Sequence, residues 1–183
     1  MSKESINSKQ IAGWCFLTGQ FLSQFEKNKL NNHYKEVNEK FLNSTITEPK
    51  LNQFPYLNPS VVLMICYGLL VYPVEYWKKA SKPVYKKIDK FIMLEATNLN
   101  PSITSVFDLF IIDSKEAMDT ETLLKYLRNA IAHSQINYSF EESTYTFWNI
   151  KNGTKNFEAT ITTINLSAFL TGVGKFFINA DMN

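Results

Sequence analysis

Residues 123–138, LLKYLRNAIAHSQINY, are the stretch that decides the fold class and directs the search for a function. Placed at 100° per residue, its apolar positions fall on one side of a helix. They are Leu123, Leu124, Leu127, Ala130 and Ile131. Arg128, Asn129 and His133 lie away from the centre of that stripe, with Lys125 between them. The stretch therefore predicts an amphipathic helix with a buried apolar face and an opposite face that is cationic and polar.

Upstream of this motif helix, apolar residues recur at helical spacing in several segments. Residues 8–28 predict a long amphipathic helix and residues 32–44 a weaker one. The apolar positions of the first are Ile11, Trp14, Cys15, Thr18, Phe21, Leu22 and Phe25. Pro83 begins a further helix through about residue 96, and residues 98–121 are read as irregular with some helix. Asp119 or Thr120 can cap the motif helix.

A fourth apolar segment, residues 58–77, carries no charge before Glu75. Asn58 and Pro59 suit the N-cap and the first position of a helix, and Pro73 should kink or end that helix. Because polar and helix-breaking residues interrupt its apolar core, the segment is shorter than the span of about 20 residues that a membrane requires. We expect a buried central helix and no membrane partner.

The spacing of apolar residues changes after His133. Residues 145–164, YTFWNIKNGTKNFEATITTI, form two β-rich runs around Asn152-Gly153, a pair typical of type I′ hairpin turns. Asn165 should then cap a last helix. Its apolar stripe consists of Leu166, Phe169, Leu170, Val173, Phe176 and Phe177. The predicted fold is mainly α and is a single domain over residues 1–183. It comprises a helical bundle at about 8–134, a small β-hairpin at about 143–164 and a C-terminal helix at about 166–179.

Charge and cysteine content restrict the kinds of partner and compartment. Nineteen Lys and Arg residues against 17 Asp and Glu residues leave a net charge of +2, so any contact with nucleic acid has to be local. Cys15 and Cys66 lie in separate apolar patterns and are expected to be buried free thiols. The N-terminus, MSKESINSKQ, lacks the apolar region of a signal peptide. These observations favour a cytoplasmic protein.

The polar face of the motif helix suits cleavage of RNA by its own 2′-hydroxyl. His133 could exchange protons near neutral pH, and Arg128 could stabilise charge on the phosphate oxygens. Asn129, one turn before His133, could hydrogen-bond the imidazole and orient it, or it could orient Arg128 instead. Two copies facing across a two-fold axis would bring two arginines and two histidines to one cleft, which predicts a homodimer through the motif helix. The alternative is a solvated Arg128 and a His133 that only complements the helix dipole.

No carboxylate–histidine cluster is apparent in the sequence, so we expect neither a metal site nor a cofactor. Lys125 is a weaker candidate for binding substrate, as are Lys86 and Lys87 in the lysine-rich segment EYWKKASKPVYKKIDKF. Lysines and interleaved aromatics could bind single-stranded RNA. The alternative, which we favour, is a solvated helix pair whose aromatics belong to the core. His33 is expected to be a surface residue without a functional role.

The residues Arg128-Asn129-Ala130-Ile131-Ala132-His133 match the R-N-x-x-x-H signature of the HEPN superfamily. From residue 120 onward the chain resembles small HEPN-family nucleases of mobile or defence-associated elements. The resemblance implies a homodimeric, metal-independent endoribonuclease, with Arg128 and His133 as the catalytic pair and Asn129 in support. Two positions differ: Ser134 stands where many members have glycine, and Gln135 where the toxins paired with nucleotidyltransferase antitoxins usually have tyrosine.

The expected activity is thus cleavage of RNA to 2′,3′-cyclic phosphate ends, in a toxin–antitoxin or antiviral setting. Its partners would be RNA, a second copy of the chain, and an antitoxin or inhibitor protein. Because some HEPN proteins are inactive scaffolds, the alternative is a catalytically inactive HEPN-like dimerisation module that binds RNA or protein.

Overall fold

The computed structural model describes residues 8–28, 35–36 and 59–179. Its α-helices are α1 (Ser8–Asn28), α2 (Pro59–Cys66), α3 (Val74–Lys79), α4 (Lys82–Leu99), α5 (Thr120–Ala132) and α6 (Thr163–Asn179). A π-helical stretch, Tyr67–Val71, continues α2, and a 3-10 helix covers Val106–Leu109. The predicted mainly α fold is confirmed. Of the helix predicted at 32–44, the structure describes residues 35–36, which are helical, while the cap at Asn58 and the placement of His33 lie outside the described residues.

Four antiparallel strands form one sheet in the order β1-β4-β3-β2. They are β1 (Ile111–Ser114), β2 (Ile136–Ser139), β3 (Thr144–Lys151) and β4 (Thr154–Thr162). The predicted hairpin is confirmed as β3–β4, and its turn has positive φ at both Asn152 and Gly153, as a type I′ turn requires. The two edge strands were not predicted. Each has only four residues and is defined by its pairing with a longer strand.

The hydrophobic core lies between the inner face of the sheet and the helices. The apolar stripes predicted for α5 and α6 are buried, as expected. From the sheet, Tyr145, Phe147 and Phe157 enter the same core, whereas Trp148 faces outward and is partly exposed. Helix α6 packs closely on α4 because Gly172 has no side chain. A Cβ at this position would clash with the backbone of Ile92.

Helix α1 is present as predicted, but its buried face was predicted wrongly. Trp14 is 52% exposed and Phe21 is 59% exposed, whereas Ala12 and Phe16 are buried. The helix presents small residues to its neighbours, so that a Cβ at Gly19 would meet Ile65 of α2. Side chains of neighbouring helices thus pack onto the glycine positions of α1, and its largest apolar side chains do not mark its buried face.

The apolar segment that begins at Pro59 is buried on one side only, so the expectation of a buried central helix is wrong in part. Cys66, Leu69 and Leu70 are buried, whereas Met64 is 71% exposed. Its α-helix gives way to the π-helical stretch and is interrupted at Pro73, as predicted. Within the described residues, Pro59–Lys79 is the one helical stretch long and apolar enough to cross a membrane. A core helix of a soluble protein can meet the same criteria.

Two smaller predictions are revised. Asn165 does not cap the last helix, because α6 begins at Thr163 and the backbone N–H of Asn165 donates to Oγ1 of Thr162 at 3.2 Å. Thr162 is the cap, and the Asn165 amide donates instead to the Leu109 carbonyl at 3.2 Å. Both cysteines are free thiols: Cys66 is buried, which raises its pKa to about 12, but Cys15 is only partly buried.

Candidate functional site

Helix α5 is anchored at its start by two side-chain hydrogen bonds. Asp119 is the N-cap, as the sequence allowed, and its carboxylate accepts the Thr122 N–H at 2.8 Å. This bond lowers the pKa of the Asp119 carboxyl. The buried Thr120 hydroxyl donates to Oδ1 of Asp89 on α4 at 2.6 Å. The first turn is therefore fixed both locally and against the neighbouring helix.

At its other end, α5 closes in a Schellman motif. His133 is the C-cap, the Ser134 N–H donates to the Ile131 carbonyl at 3.2 Å, and the Gln135 N–H donates to the Ala130 carbonyl at 2.8 Å. Ser134 has φ +55°, the left-handed conformation that glycine usually supplies at this position. His133 is exposed at this turn, three residues before β2 begins.

Arg128 is half-buried and lines a depression of about 190 Å³ between α5 and the start of α4, which we call the arginine pocket. The charged side chains that line it are Lys78, Lys125, Arg128 and Glu121. Trp77 and Tyr85 form its buried wall, and the Tyr85 hydroxyl donates to the Trp77 carbonyl at 3.0 Å. Burial raises the pKa of Tyr85, and the nearby Arg128 partly counteracts that rise. With three cations and one carboxylate, the pocket suits an anion.

Of the two side chains that Asn129 was expected to orient, its own side chain contacts Arg128 and not His133. Its Oδ1 accepts a hydrogen bond from Nη2 of Arg128 at 3.2 Å, and its contact with His133 is through the backbone, where the His133 N–H donates to the Asn129 carbonyl at 3.0 Å. The adjacent guanidinium competes for the amide oxygen, since a charged donor forms the stronger hydrogen bond.

Asn129 also lines a second depression of about 250 Å³, between α5 and the β3–β4 hairpin. We call this depression the amide pocket. Its polar lining consists of Glu116, Lys125, Asn129, Asn149, Lys151 and Asn156, with Tyr126 and Ile150 beside them. Lys125 is exposed and borders both pockets. The exposed side of α5 that carries Lys125 therefore separates the arginine pocket from the amide pocket.

The sequence did not single out the residues that tie the hairpin to α5. Tyr126 stacks on Phe157 with a centroid distance of 4.7 Å, and its hydroxyl donates to Oε2 of Glu116 at 2.7 Å. The buried Asn149 amide donates to the Tyr126 carbonyl at 2.6 Å. A signal was present, because alternation along β3 places Asn149 on the same inward face as Phe147. A polar residue at an inward position needs a hydrogen-bond partner.

The lysine-rich segment follows the interpretation that we favoured. Trp77 and Tyr85 are buried, and Tyr76 and Phe91 pack partly buried against the core. Lys86 and Lys87 are exposed on α4, but neither lines the arginine pocket or the amide pocket. The structure therefore brings Arg128, Asn129 and Lys125 together and leaves these two lysines apart from them.

Across the described part of the chain, no group of three His, Cys, Asp or Glu side chains could hold a metal ion. A family model described as HEPN pEK499 p136 matches residues 1–183. No curated protein and no solved structure matches the chain.

Proposed function

Because the chain belongs to the HEPN pEK499 p136 family, we propose that it is a metal-independent endoribonuclease. The observation that carries the proposal is the position of the R-N-x-x-x-H motif. Arg128 lies in the cationic arginine pocket, and His133 is exposed at the C-terminal end of the same helix. These two side chains can supply anion binding and proton transfer, which are what RNA cleavage by its 2′-hydroxyl requires.

In the proposed reaction, the 2′-oxygen attacks the adjacent phosphorus, and a P–O2′ bond forms as the P–O5′ bond breaks. An unprotonated His133 accepts the proton of the 2′-hydroxyl, and a protonated His133 gives a proton to the departing O5′. Arg128 stabilises the charge that grows on the non-bridging oxygens. The products are a 2′,3′-cyclic phosphate and a 5′-hydroxyl.

This scheme uses two copies of the chain. On one helix, Arg128 and His133 are five residues apart, or about 140° around the axis, so a single copy would flank a phosphate loosely. A two-fold axis beside α5 would bring both copies of each residue to one cleft. Ala132, which is small and exposed between them, would permit close approach of the two helices.

The test is incubation of a labelled single-stranded RNA in EDTA with the wild type, His133→Ala and Arg128→Ala. His33→Ala, at the chain's other histidine, is the matched control. We expect each site variant to lose about 100-fold or more in rate, while the control keeps the wild-type rate. Circular dichroism and size-exclusion chromatography establish that all four proteins are folded and of equal oligomeric state.

A substrate with a 2′-deoxy sugar at the scissile position tests the mechanism itself. Since the nucleophile is then missing, we expect no cleavage. Equal cleavage of that substrate would refute the proposal. Binding of RNA without cleavage by the wild type, across several RNAs, would instead favour a catalytically inactive binding module.

Three weaker parts of the proposal concern the surroundings of the site. Lys86 and Lys87 would extend the track for RNA, so reversing both charges should lower RNA affinity and its dependence on salt. We place the activity in the cytoplasm, in a toxin–antitoxin or antiviral setting. An antitoxin or inhibitor protein would then hold the nuclease in check.

A further inference from the structure

We propose that the outer face of the sheet holds one base of the RNA, stacked on Trp148, close to the phosphate that is cleaved. This inference rests on the proposed function, since it assigns a stacking site to the same substrate. The outer face carries a shallow hollow of about 630 Å³, which we call the sheet hollow. Small-ligand sites have volumes of roughly 300–1,000 Å³, so a hollow of this size has room for a nucleotide.

The first argument is that the indole of Trp148 has no partner of its own. Trp148 lies between the inward-facing Phe147 and Asn149 on β3, so its side chain is on the face opposite the core. Within the part of the chain that the structure describes, this indole contacts no other ring and donates no hydrogen bond. Trp77, by contrast, is buried and stacks on Tyr85 with a centroid distance of 6.3 Å. The ring of Trp148 is therefore free to receive a base.

The second argument is the short path from Trp148 to the motif. The Trp148 N–H donates to the Gln135 carbonyl at 3.1 Å, which continues the register that pairs Ile136 with Phe147. Gln135 is two residues after His133. Two residues span at most about 7 Å and opposed strand residues lie about 5.5 Å apart, so the Cα atoms of His133 and Trp148 are within about 13 Å. A single-stranded RNA that is cleaved at His133 therefore brings a nearby base to the sheet hollow.

The third argument is the balanced charge of the hollow. The side chains that line it are the apolar Trp148 and Ile150, the polar Asn137 and Thr146, and the charged Lys155 and Glu158. Nζ of Lys155 and Oε2 of Glu158 form an ion pair at 2.6 Å. Because the cation is already neutralised within the hollow, a phosphate gains little there, whereas an uncharged base can stack.

The small apolar area of the hollow favours a base over a protein partner. A stable protein interface covers about 800 Å² on each partner. The apolar lining of the sheet hollow consists of two side chains, Trp148 and Ile150. One flat base can cover an area of this size, with the indole against its face.

Stacking on Trp148 would select unpaired RNA without reading its sequence. Every base has a π-face, so an aromatic platform accepts all four bases. A base inside a duplex is already stacked on its neighbours, so only a single strand or a loop can offer one to the indole. Trp148 would thus hold the base while Arg128 binds the phosphate.

The experiment measures binding by fluorescence anisotropy, with a labelled single-stranded RNA and the His133→Ala protein as the parent. Trp148→Leu keeps an apolar side chain on β3 but removes the ring, and we expect it to weaken binding about tenfold. Trp148→Phe keeps a ring and should stay within about threefold of the parent. Trp14→Leu, at a half-exposed tryptophan on α1, is the matched control and should keep the parent affinity. Circular dichroism establishes that all four proteins are folded.

Two further measurements separate stacking from other effects of the substitution. The dependence of affinity on salt should be the same for Trp148→Leu and the parent, since the indole neutralises no phosphate. An abasic strand of equal length should bind equally well to both, because there is no base to stack. Unchanged RNA affinity in Trp148→Leu, equal losses in the Leu and Phe variants, or a loss that persists on the abasic strand would overturn the stacking site.

The outcomes distinguish this proposal from the ribonuclease proposal. RNA binding that does not depend on Trp148 overturns the stacking site alone, and it leaves the sheet hollow to a protein partner. Failure of the ribonuclease proposal would appear in the cleavage assay with wild type, which the His133→Ala parent does not enter.

Discussion

Replacing Ser134 with glycine should stabilise the protein, although it removes a side chain. Ser134 has φ +55° at the position that follows the helix cap. Left-handed backbone costs an L-residue about 1–2 kcal/mol, and glycine avoids this cost. Glycine also lowers the free energy of unfolding by about 0.5–1 kcal/mol, because it has more conformational freedom in the unfolded chain. The free energy of unfolding should therefore rise by about 0.5–1 kcal/mol. For a chain of this size, that corresponds to an increase in Tm of about 1–4 °C.

The matched control is Ser167→Gly, the same substitution at an exposed position inside α6. There the backbone is right-handed, so glycine should lower the free energy of unfolding by about 0.5 kcal/mol. Urea unfolding followed by circular dichroism measures both variants against the wild type. Opposite signs would support the Schellman geometry at His133. If both variants were destabilised equally, the assignment of strain to Ser134 would be refuted.

Three further predictions concern the anchors of the site and the core. Asn149→Ala should lower the free energy of unfolding by about 1–2 kcal/mol through loss of a buried hydrogen bond, measured by urea unfolding. Asp119→Ala should cost about 1 kcal/mol at neutral pH. Folding lowers the pKa of Asp119, so the stability that this carboxylate contributes is fully present above its ordinary pKa of about 4 and is lost as the pH falls through the folded value. The free energies of unfolding of wild type and variant should therefore converge in acid. Cys66, with its pKa raised to about 12 by burial, should resist a thiol reagent in native Cys15→Ser protein and react upon unfolding; rapid native labelling would contradict its burial.

Local patterns in the sequence predicted the parts of the fold that local forces determine. The cap at Asp119, the turn at Asn152-Gly153 and the stripes of α5 and α6 each follow from a few neighbouring residues. The face of α1 that is buried could not be predicted in this way. It depends on glycines that permit close contact with other helices, and hydrophobic periodicity gives them no weight.

The candidate site likewise contains some residues that could be predicted from the sequence and others that could not. Arg128 and His133 were recognisable because their spacing is a motif within one helix. The amide pocket was not, because Asn156 on β4 and Glu116 after β1 meet Tyr126 only once the sheet is assembled. Competition between side chains was equally invisible, as the bond between Arg128 and Asn129 shows. Contacts between residues distant in sequence require the tertiary structure.

The three tryptophans of the chain lie in three different environments, which makes the protein suitable for intrinsic fluorescence. Trp14 is half-exposed on α1, Trp148 is partly exposed on the outer face of the sheet, and Trp77 is 6% exposed in the wall of the arginine pocket. Emission from a buried indole should lie to the blue of emission from a hydrated one. A variant that keeps only Trp77 would therefore report optically on whatever enters the pocket of Arg128, without a label attached to either molecule.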